Sequence, residues 1–186
     1  QSRSSAASDV YKRQAFTTIA KSKIPTIALA HGFCIGGATS LVSACDIRLA
    51  TKDAKFSIGE TKLGLVADVG VIQRMPKIVS SGDMNELALT GRIFDGEYAE
   101  KIRFVSKAYE NSDELFEAGE KLANEISSNS KRIVQATKEA LEKSSNLTVD
   151  QGLDYAKLWS TSFLVSEDLR EGVMAFLEKR DPKFNE

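Results

Sequence analysis

The chain has 186 residues, and its 25 lysines and arginines nearly balance its 26 aspartates and glutamates, for a formal net charge of −1. This length allows one globular domain with a sizeable core. The balanced charge provides no basic footprint for nucleic acid, and no apolar run approaches the roughly 20 residues that a membrane-spanning helix needs. The isolated thiols Cys34 and Cys45 favour a soluble protein of a reducing compartment over a disulfide scaffold.

The first fourteen residues, QSRSSAASDVYKRQ, are rich in serine, basic, and without apolar periodicity. Their composition is compatible with a short transit segment. The pattern changes abruptly to an amphipathic stretch at Ala15. We therefore predict a separate head over residues 1–14.

Strand and helix patterns alternate from Ala15 to Ala108. The continuous apolar run over residues 24–30 is typical of a strand buried on both faces. Further strands are expected over residues 46–50, 56–59 and 104–108. Helices are expected over residues 37–44, 69–74, 83–90 and 96–102, the second of them with Asp68 as its N-cap.

The remainder of the chain, residues 109–186, is predicted to be helical. Apolar residues recur at three- and four-residue spacings over residues 113–126, 130–143, 149–162 and 167–177. Strands followed by a helical tail indicate an α/β fold.

A glycine pair, Gly36-Gly37, stands at a predicted strand-to-helix junction. Glycine leaves the backbone N–H groups there exposed at the positive end of a helix, where they can hold a developing oxyanion. Downstream, Glu60 and Asp68 are carboxylates in otherwise apolar or glycine-rich surroundings. Together these groups suit proton transfer next to a carbonyl. The plainer alternatives are close packing for the glycines, a strand-end carboxylate for Glu60 and a helix cap for Asp68.

The segments HGFCIGGATSLVSACDIRLATKDAKF and FLEKRDPKFNE resemble the crotonase, or enoyl-CoA hydratase/isomerase, superfamily. The segment GETKLGLVADVGVIQRMPKIV is most similar to its Δ3,5-Δ2,4-dienoyl-CoA isomerase branch. The resemblance implies a ClpP/crotonase-like ββα spiral core over residues 15–108, and a helical oligomerisation region over residues 109–186. Members of the family carry further strands before the point that matches Ala15. The chain is therefore expected to be a partial core with a non-native or disordered head.

The resemblance also implies roles for individual residues. The N–H of Gly37 would bind the thioester oxygen of an acyl-CoA, and one such donor typically contributes about 3 kcal/mol to transition-state stabilisation. Glu60 and Asp68 would exchange protons with the acyl chain. Weaker substrate-binding candidates are Gly36, Ser40 and Leu65. The second oxyanion donor belongs to the front of the family core, so these 186 residues alone are expected to be nearly inactive.

Two positions depart from the family pattern. Ser40 stands where hydratases carry a glutamate and typical dienoyl-CoA isomerases an aspartate, which argues against hydration because hydration uses two carboxylates. Arg103 stands where relatives tend to have a glycine. The only histidine, His31, precedes Gly32 without a neighbouring nucleophile in sequence and is expected to be structural.

The expected function is an acyl-CoA double-bond isomerase of fatty-acid β-oxidation, forming a homo-trimer or hexamer when full length. No metal or redox cofactor is expected, because coenzyme A is part of the substrate. Alternatives are a Δ3,Δ2-enoyl-CoA isomerase, an enoyl-CoA hydratase or, in a different class, a non-catalytic scaffold that binds partners through its helical tail. The sequence does not choose between cytoplasm, mitochondrial matrix and peroxisome.

Overall fold

The computed structural model describes residues 3–184 and, within them, the side chains from Val10 onward. The chain divides into two units, one formed by residues up to 22 and 26–120, the other by residues 23–25 and 121 onward. Helix α1, Arg3–Ala20, runs through residue 14 without a break. Residues 3–14 are therefore helical, and Gln1 and Ser2 of the predicted head lie outside the described residues. The predicted division of the chain at residues 14 and 108 stays a prediction.

The described strands of the first unit form two small sheets of three strands each. One sheet is parallel throughout, with the order β1-β3-β6, and consists of β1 (Ile27–Ala30), β3 (Ile47–Thr51) and β6 (Lys107–Tyr109). In the other sheet β4 lies in the centre, parallel to one neighbour and antiparallel to the other; its strands are β2 (Phe33–Ile35), β4 (Lys55–Ser57) and β5 (Phe94–Asp95). Apart from β4 and β5, which are neighbours in one sheet, each strand is followed by a strand of the other sheet, so the chain winds back and forth through a mixed α/β fold.

Helices connect these strands. In chain order they are α2 (Gly37–Ala44), α3 (Val71–Arg74), α4 (Ser81–Thr90), α5 (Gly96–Lys101) and α6 (Ser112–Ser127). Single 3₁₀ turns occupy Gly59–Leu63 and Met75–Lys77. Side-chain caps begin α4 and α5, since Ser80 and Asp95 accept backbone N–H groups of their first turns.

The core of the first unit centres on three phenylalanine rings. Phe56 of β4 packs against Phe94 and Phe104 with ring centroids 5.5 and 5.4 Å apart. All three side chains are buried, and burying each contributes about 1.5–3 kcal/mol. The strand that leads to Glu60 is thus fixed by its own buried side chain.

The second unit is helical. After the end of α6 it contains α7 (Lys131–Ser144), α8 (Val149–Phe163) and α9 (Glu167–Glu178). Each of these helices begins with a hydroxyl cap, from Ser130, Thr148 and Ser166 respectively. Among the described residues, no helix is both long and apolar enough to cross a membrane.

Several predicted boundaries are wrong. The strand expected over residues 24–30 begins only at Ile27, and its residues before Ala30 are half-buried rather than buried on both faces. The helix expected over residues 83–90 begins at Ser81, because Ser80 caps it.

The helix expected over residues 69–74 begins only at Val71, with Gly70 as its N-cap, so Asp68 is not a helix cap. The strand expected at 56–59 ends at Ser57, because a 3₁₀ turn begins at Gly59. The strand expected at 104–108 begins at Lys107, since Phe104 and Val105 are drawn into the core.

Candidate active site

The glycine pair lies where strand β2 ends and helix α2 begins. The N–H of Gly36 donates to the carbonyl of Ser57 at 2.9 Å, which extends the β2–β4 ladder by one bond. Gly36 has φ 57° and ψ −112° and is the N-cap of α2. Glycine adopts this backbone conformation readily and other residues do so with strain. The carbonyl of Gly36 then accepts the N–H of Ser40 at 3.0 Å, which closes the first turn.

Gly37 is the first residue of α2 and is exposed. The first N–H groups of a helix have no acceptor within it, and they carry the partial positive charge of its end. No described atom outside its immediate neighbours lies within 4 Å of the position that a β-carbon on Gly37 would take. The space beside the first residue of α2 is therefore open on the side where a side chain would project.

The Thr39 hydroxyl connects this helix end to both strands. Its side chain is buried, and Oγ1 contacts the carbonyl oxygens of Cys34 and of Ser57, the latter at 3.0 Å. These carbonyls belong to β2 and β4, the strands on either side of the turn. The start of α2 and the end of β4 are therefore held together by side-chain as well as backbone contacts.

Glu60 follows β4 directly, in the 3₁₀ turn, and is half-buried. Its Oε1 lies 3.6 Å from the position that a β-carbon on Gly36 would take, which places the carboxylate beside the glycine pair. Its Oε2 is buried and has no hydrogen-bond partner among the described residues. A buried oxygen without a donor is uncommon in folded proteins. It leaves this carboxylate free to accept or donate a proton on a bound molecule.

Ser40 also carries a buried polar atom without a partner. The residue is fully buried on α2, and its Oγ has no hydrogen-bond partner among the described residues. Ser40 lies one turn beyond Gly36, so the orphaned oxygens of Ser40 and Glu60 both belong to residues that contact Gly36. Leaving such a group unpaired costs about 1–3 kcal/mol. Two such groups near one glycine mark this place as more than a packing contact.

Asp68 is in a different environment from Glu60. Its side chain is 52% exposed and forms an ion pair with Arg13 of α1, with Nη2 and Oδ2 3.1 Å apart. The apolar neighbours Ala67 and Val69 are buried, whereas the carboxylate of Asp68 itself is half-exposed and paired. Within the described residues, no hydrogen bond or ion pair joins Asp68 to Glu60. Leu65 lies between them in sequence, exposed, with its N–H donated to the carbonyl of Glu60 at 3.0 Å.

Sequence reasoning missed the contribution of α1. Arg13 was placed in the predicted head, and its contact with Asp68 spans 55 residues. The single histidine takes no part in this site: the ring of His31 packs edge-on against Phe116, with centroids 5.8 Å apart. Burial raises the pKa of the Cys34 thiol, which makes it a poor nucleophile.

Known proteins are similar to this chain in both sequence and fold. The mitochondrial Δ(3,5)-Δ(2,4)-dienoyl-CoA isomerase of Dictyostelium discoideum is 49% identical over 166 residues, 89% of this chain and 57% of that protein. The peroxisomal enzyme of the same name from Arabidopsis thaliana is 44% identical over 170 residues, 91% of this chain and 61% of that protein. The chain thus spans little more than half the length of these relatives.

Solved structures give the same picture. The crystal structure of an enoyl-CoA hydratase from Bacillus anthracis matches with a TM-score of 0.92 at 28% identity, over 99% of this chain and 71% of that one. The structure of a Hyphomonas neptunium protein, titled as an enoyl-CoA hydratase/isomerase family member, matches with a TM-score of 0.90 at 34% identity, over 100% of this chain and 70% of that one. The family model described as enoyl-CoA hydratase/isomerase matches residues 2–186. On this agreement of sequence and fold, the chain belongs to the enoyl-CoA hydratase/isomerase, or crotonase, family.

Proposed function

We propose that the protein is an acyl-CoA double-bond isomerase of the dienoyl-CoA isomerase type, acting in fatty-acid β-oxidation. The observation that carries this proposal is the arrangement around Gly36, where a helix end with a free N–H and a carboxylate with an unpaired buried oxygen are neighbours. The Dictyostelium and Arabidopsis relatives carry this activity in their names, which supports the isomerase over the hydratase.

In the proposed mechanism the thioester oxygen of the acyl-CoA accepts a hydrogen bond from the N–H of Gly37. A proton leaves the carbon next to the thioester and passes to one carboxylate, so that the electron pair moves into the conjugated system and negative charge gathers on the thioester oxygen. A proton from the second acid then adds at the far end of the shifted double bonds. Glu60 and Asp68 are the two acids, and Gly36, Ser40 and Leu65 would line the substrate. The thioester acts as the electron sink, so the proposal requires neither metal nor redox cofactor.

A second candidate is a Δ3,Δ2-enoyl-CoA isomerase. The observation that favours it is the separation of the two acids: Asp68 is half-exposed and paired with Arg13, whereas Glu60 lies beside Gly36. A single positioned carboxylate can remove a proton and return it two carbons away. Hydration is disfavoured because the hydroxyl of Ser40 does not replace a second carboxylate.

The protein is also proposed to form a homo-trimer or hexamer through its helical region. Several large apolar side chains of α8, α9 and their connection are exposed, among them Leu158, Leu164, Val165, Phe176 and Leu177. Leu164, Phe176 and Leu177 line one groove, and an exposed apolar patch is typical of a surface that another protein covers. The identity of that partner as a second copy rests on the family.

The test uses the full-length protein that contains this stretch. By the proposal, the 186 residues alone hold only one of the two oxyanion donors, and they should turn over little substrate. Glu60→Gln and Asp68→Asn keep the shape of each side chain and remove proton transfer. Each should lower kcat on a 3,5-dienoyl-CoA by about a hundredfold or more, with little change in KM. The exposed carboxylates Glu120 and Asp53 provide the matched controls Glu120→Gln and Asp53→Asn, which should leave kcat within about twofold of the parent's.

The competing functions give different results. Near-normal dienoyl turnover by Asp68→Asn, together with loss in Glu60→Gln, would return the assignment to a Δ3,Δ2-enoyl-CoA isomerase. Faster hydration of a 2-enoyl-CoA than isomerisation by the parent would make the protein a hydratase. Absence of turnover on a 3,5-dienoyl-CoA, a 3-enoyl-CoA and a 2-enoyl-CoA would support the non-catalytic scaffold.

A further inference from the structure

The turn that carries Glu60 lies against the C-terminal end of helix α4. The Ser57 hydroxyl, just before the turn, donates to the carbonyl of Gly91 at 3.1 Å. The Thr61 hydroxyl, just after Glu60, donates to the carbonyl of Ala88 at 2.7 Å. Both acceptors belong to the end of α4, since Gly91 is its C-cap. Glu60 therefore lies between two hydroxyl groups that bind the same helix end.

The carbonyl groups at this helix end need donors from outside the helix. The last four carbonyls of an α-helix have no N–H partner within it. The N–H of Gly91 donates to the carbonyl of Leu87 at 3.0 Å, and the Thr61 hydroxyl supplies the donor for the next carbonyl, that of Ala88. The contact thus completes the end of α4 and attaches the turn to it at the same time.

Close packing accompanies these hydrogen bonds. Gly91 has φ 58°, and a β-carbon on it would lie 3.1 Å from Cγ of Lys62 and 3.4 Å from the carbonyl oxygen of Ile58. Ser57 and Ile58 are 2% and 1% exposed, so the hydrogen bond of Ser57 is shielded from water, where such a bond is stronger. Thr61 is exposed. The Ser57 contact is therefore part of the core, and the Thr61 contact can be altered without disturbing the core.

Ser57 also connects this attachment to the glycine pair. Its backbone carbonyl accepts the N–H of Gly36 at 2.9 Å, while its hydroxyl binds α4. Glu60, three residues later, lies beside Gly36, and its buried Oε2 has no partner among the described residues. The position of this oxygen therefore depends on the backbone of the turn.

We propose that Ser57 and Thr61 are positioning residues, which hold the Glu60 carboxylate beside Gly36 by fixing its turn to the end of α4. The inference rests on the proposed function only for the part that Glu60 plays in the reaction. A displacement of about 1 Å in a reacting group can lower a rate about a hundredfold. Loss of either hydroxyl should therefore lower kcat more than it changes KM.

Two backbone hydrogen bonds report directly on the turn. The N–H of Gly64 donates to the carbonyl of Thr61 at 3.2 Å. The N–H of Leu65 donates to the carbonyl of Glu60 at 3.0 Å. Hydrogen–deuterium exchange of these amides, followed by mass spectrometry on the full-length protein without substrate, measures how often the turn opens. Ser57→Ala and Thr61→Val should each raise both exchange rates by about threefold or more.

Matched variants show whether the hydroxyl itself is responsible. Thr61→Ser keeps the hydroxyl and should exchange as the parent does. Thr90→Val makes the same change as Thr61→Val at the same helix end, but the Thr90 hydroxyl donates to the carbonyl of Glu86 within α4, so this variant should also exchange as the parent does. Parent-like exchange in Ser57→Ala or in Thr61→Val would remove that residue from the proposal, and in both it would overturn the proposal.

The second experiment measures kcat and KM of the full-length protein on a 3,5-dienoyl-CoA. Ser57→Ala and Thr61→Val should each lower kcat about three- to tenfold with KM nearly unchanged, and Thr61→Ser should keep the parent's kcat. In a Glu60→Gln background, Thr61→Val should have no further effect, because both changes act on one carboxylate. An equal loss in that background would show that Thr61 acts elsewhere and would overturn its positioning role.

The two experiments separate the inference from the proposed function. If Glu60→Gln leaves turnover unchanged while Ser57→Ala and Thr61→Val speed exchange, the attachment of the turn stands and the catalytic role of Glu60 fails. If Glu60→Gln lowers turnover while neither hydroxyl variant changes kcat, the proposed function stands and the positioning role fails.

Discussion

Arg103 has a backbone conformation that suits glycine. It has φ 64°, and of the non-glycine residues that the structure describes only Arg103 and Lys179 have positive φ. The turn at Arg103 reverses the chain after α5, and the N–H of Phe104 then donates to the carbonyl of Ala99 at 2.8 Å. Phe104 and Val105 become fully buried as a result. This backbone conformation fits the glycine that the family resemblance implies at this position.

Replacing Arg103 by glycine should therefore stabilise the fold. The left-handed conformation costs a side-chain-bearing residue about 1–2 kcal/mol, against about 0.5–1 kcal/mol for the extra freedom of glycine when unfolded. The expected net gain is about 0–1.5 kcal/mol in the free energy of urea unfolding. Lys101→Gly, at the exposed end of α5 where φ is negative, is the matched control and should destabilise. Equal losses in both variants would contradict this account of the turn.

At the level of helices and strands, prediction succeeded where the signals are local. Helix α2 begins and ends at the predicted residues, and the predicted helices of the second unit differ from the observed ones by at most one residue at either end. Their capping side chains and apolar spacings lie within a few residues of each boundary. It failed at the start of α3, where Gly70 rather than Asp68 is the N-cap.

The same distinction holds for the candidate site. The sequence pattern predicts Gly36, Gly37 and Glu60 as residues of the candidate site. The structure places Gly36 beside Glu60. The pairing of Asp68 with Arg13 has no local signal, because it joins side chains 55 residues apart through the packing of a helix. Contacts of this kind depend on the whole fold, which single-sequence patterns do not encode.

The carboxylate of Glu171, in α9, binds residues of the chain that follow this helix. Both oxygens of Glu171 accept from Arg180, at 2.6 and 3.0 Å, and Oε1 also accepts the N–H of Lys183 at 2.7 Å. These hydrogen bonds, those of Arg180 foremost, lower the pKa of Glu171 from 4.5 to about 2. The folded pKa is lowered, so the contribution is present above about pH 4.5 and is lost as the pH falls towards 2.

The contacts of Glu171 with Arg180 and Lys183 should therefore persist on acidification until the pH falls to about 2. In an NMR titration, the Glu171 carboxyl and the Lys183 amide should follow one transition with a midpoint near pH 2. Glu171→Gln removes the titrating group, so the Lys183 amide should no longer show that transition. A Glu171 midpoint at its ordinary value of 4.5 would show that the bonds to Arg180 do not persist in solution.

At the scale of the molecule, the two units differ in how they bury apolar surface. The first unit encloses its phenylalanine core between sheets and helices, whereas the second leaves a groove of about 540 Å³ lined by residues such as Leu164, Phe176 and Leu177. Phe176 is 80% exposed. Large apolar side chains in this state are usually covered by another protein.

If copies of the protein associate through this groove, a charge there should weaken assembly. Phe176→Asp in the full-length protein should raise the dissociation constant tenfold or more, measured by sedimentation velocity over a range of concentrations, because a carboxylate is costly to bury without a partner. Leu89→Asp, at an exposed apolar position on α4 of the first unit, is the control and should assemble as the parent does. An unchanged assembly in Phe176→Asp would exclude the groove from the interface.

The contacts of Gly36 and Thr39 with the carbonyl of Ser57 have a consequence for how such a protein can change over time. They make the start of α2 and the strand leading to Glu60 one rigid body, while Asp68 is held from outside that body by an exposed pair. Surface residues are replaced freely without loss of folding. If Asp68 is the second acid of the proposed mechanism, exchanges on its loop can remove or reorient that acid without loss of folding. The start of α2 and Glu60 would stay unchanged during such exchanges. New reaction specificities can therefore arise on an inherited fold.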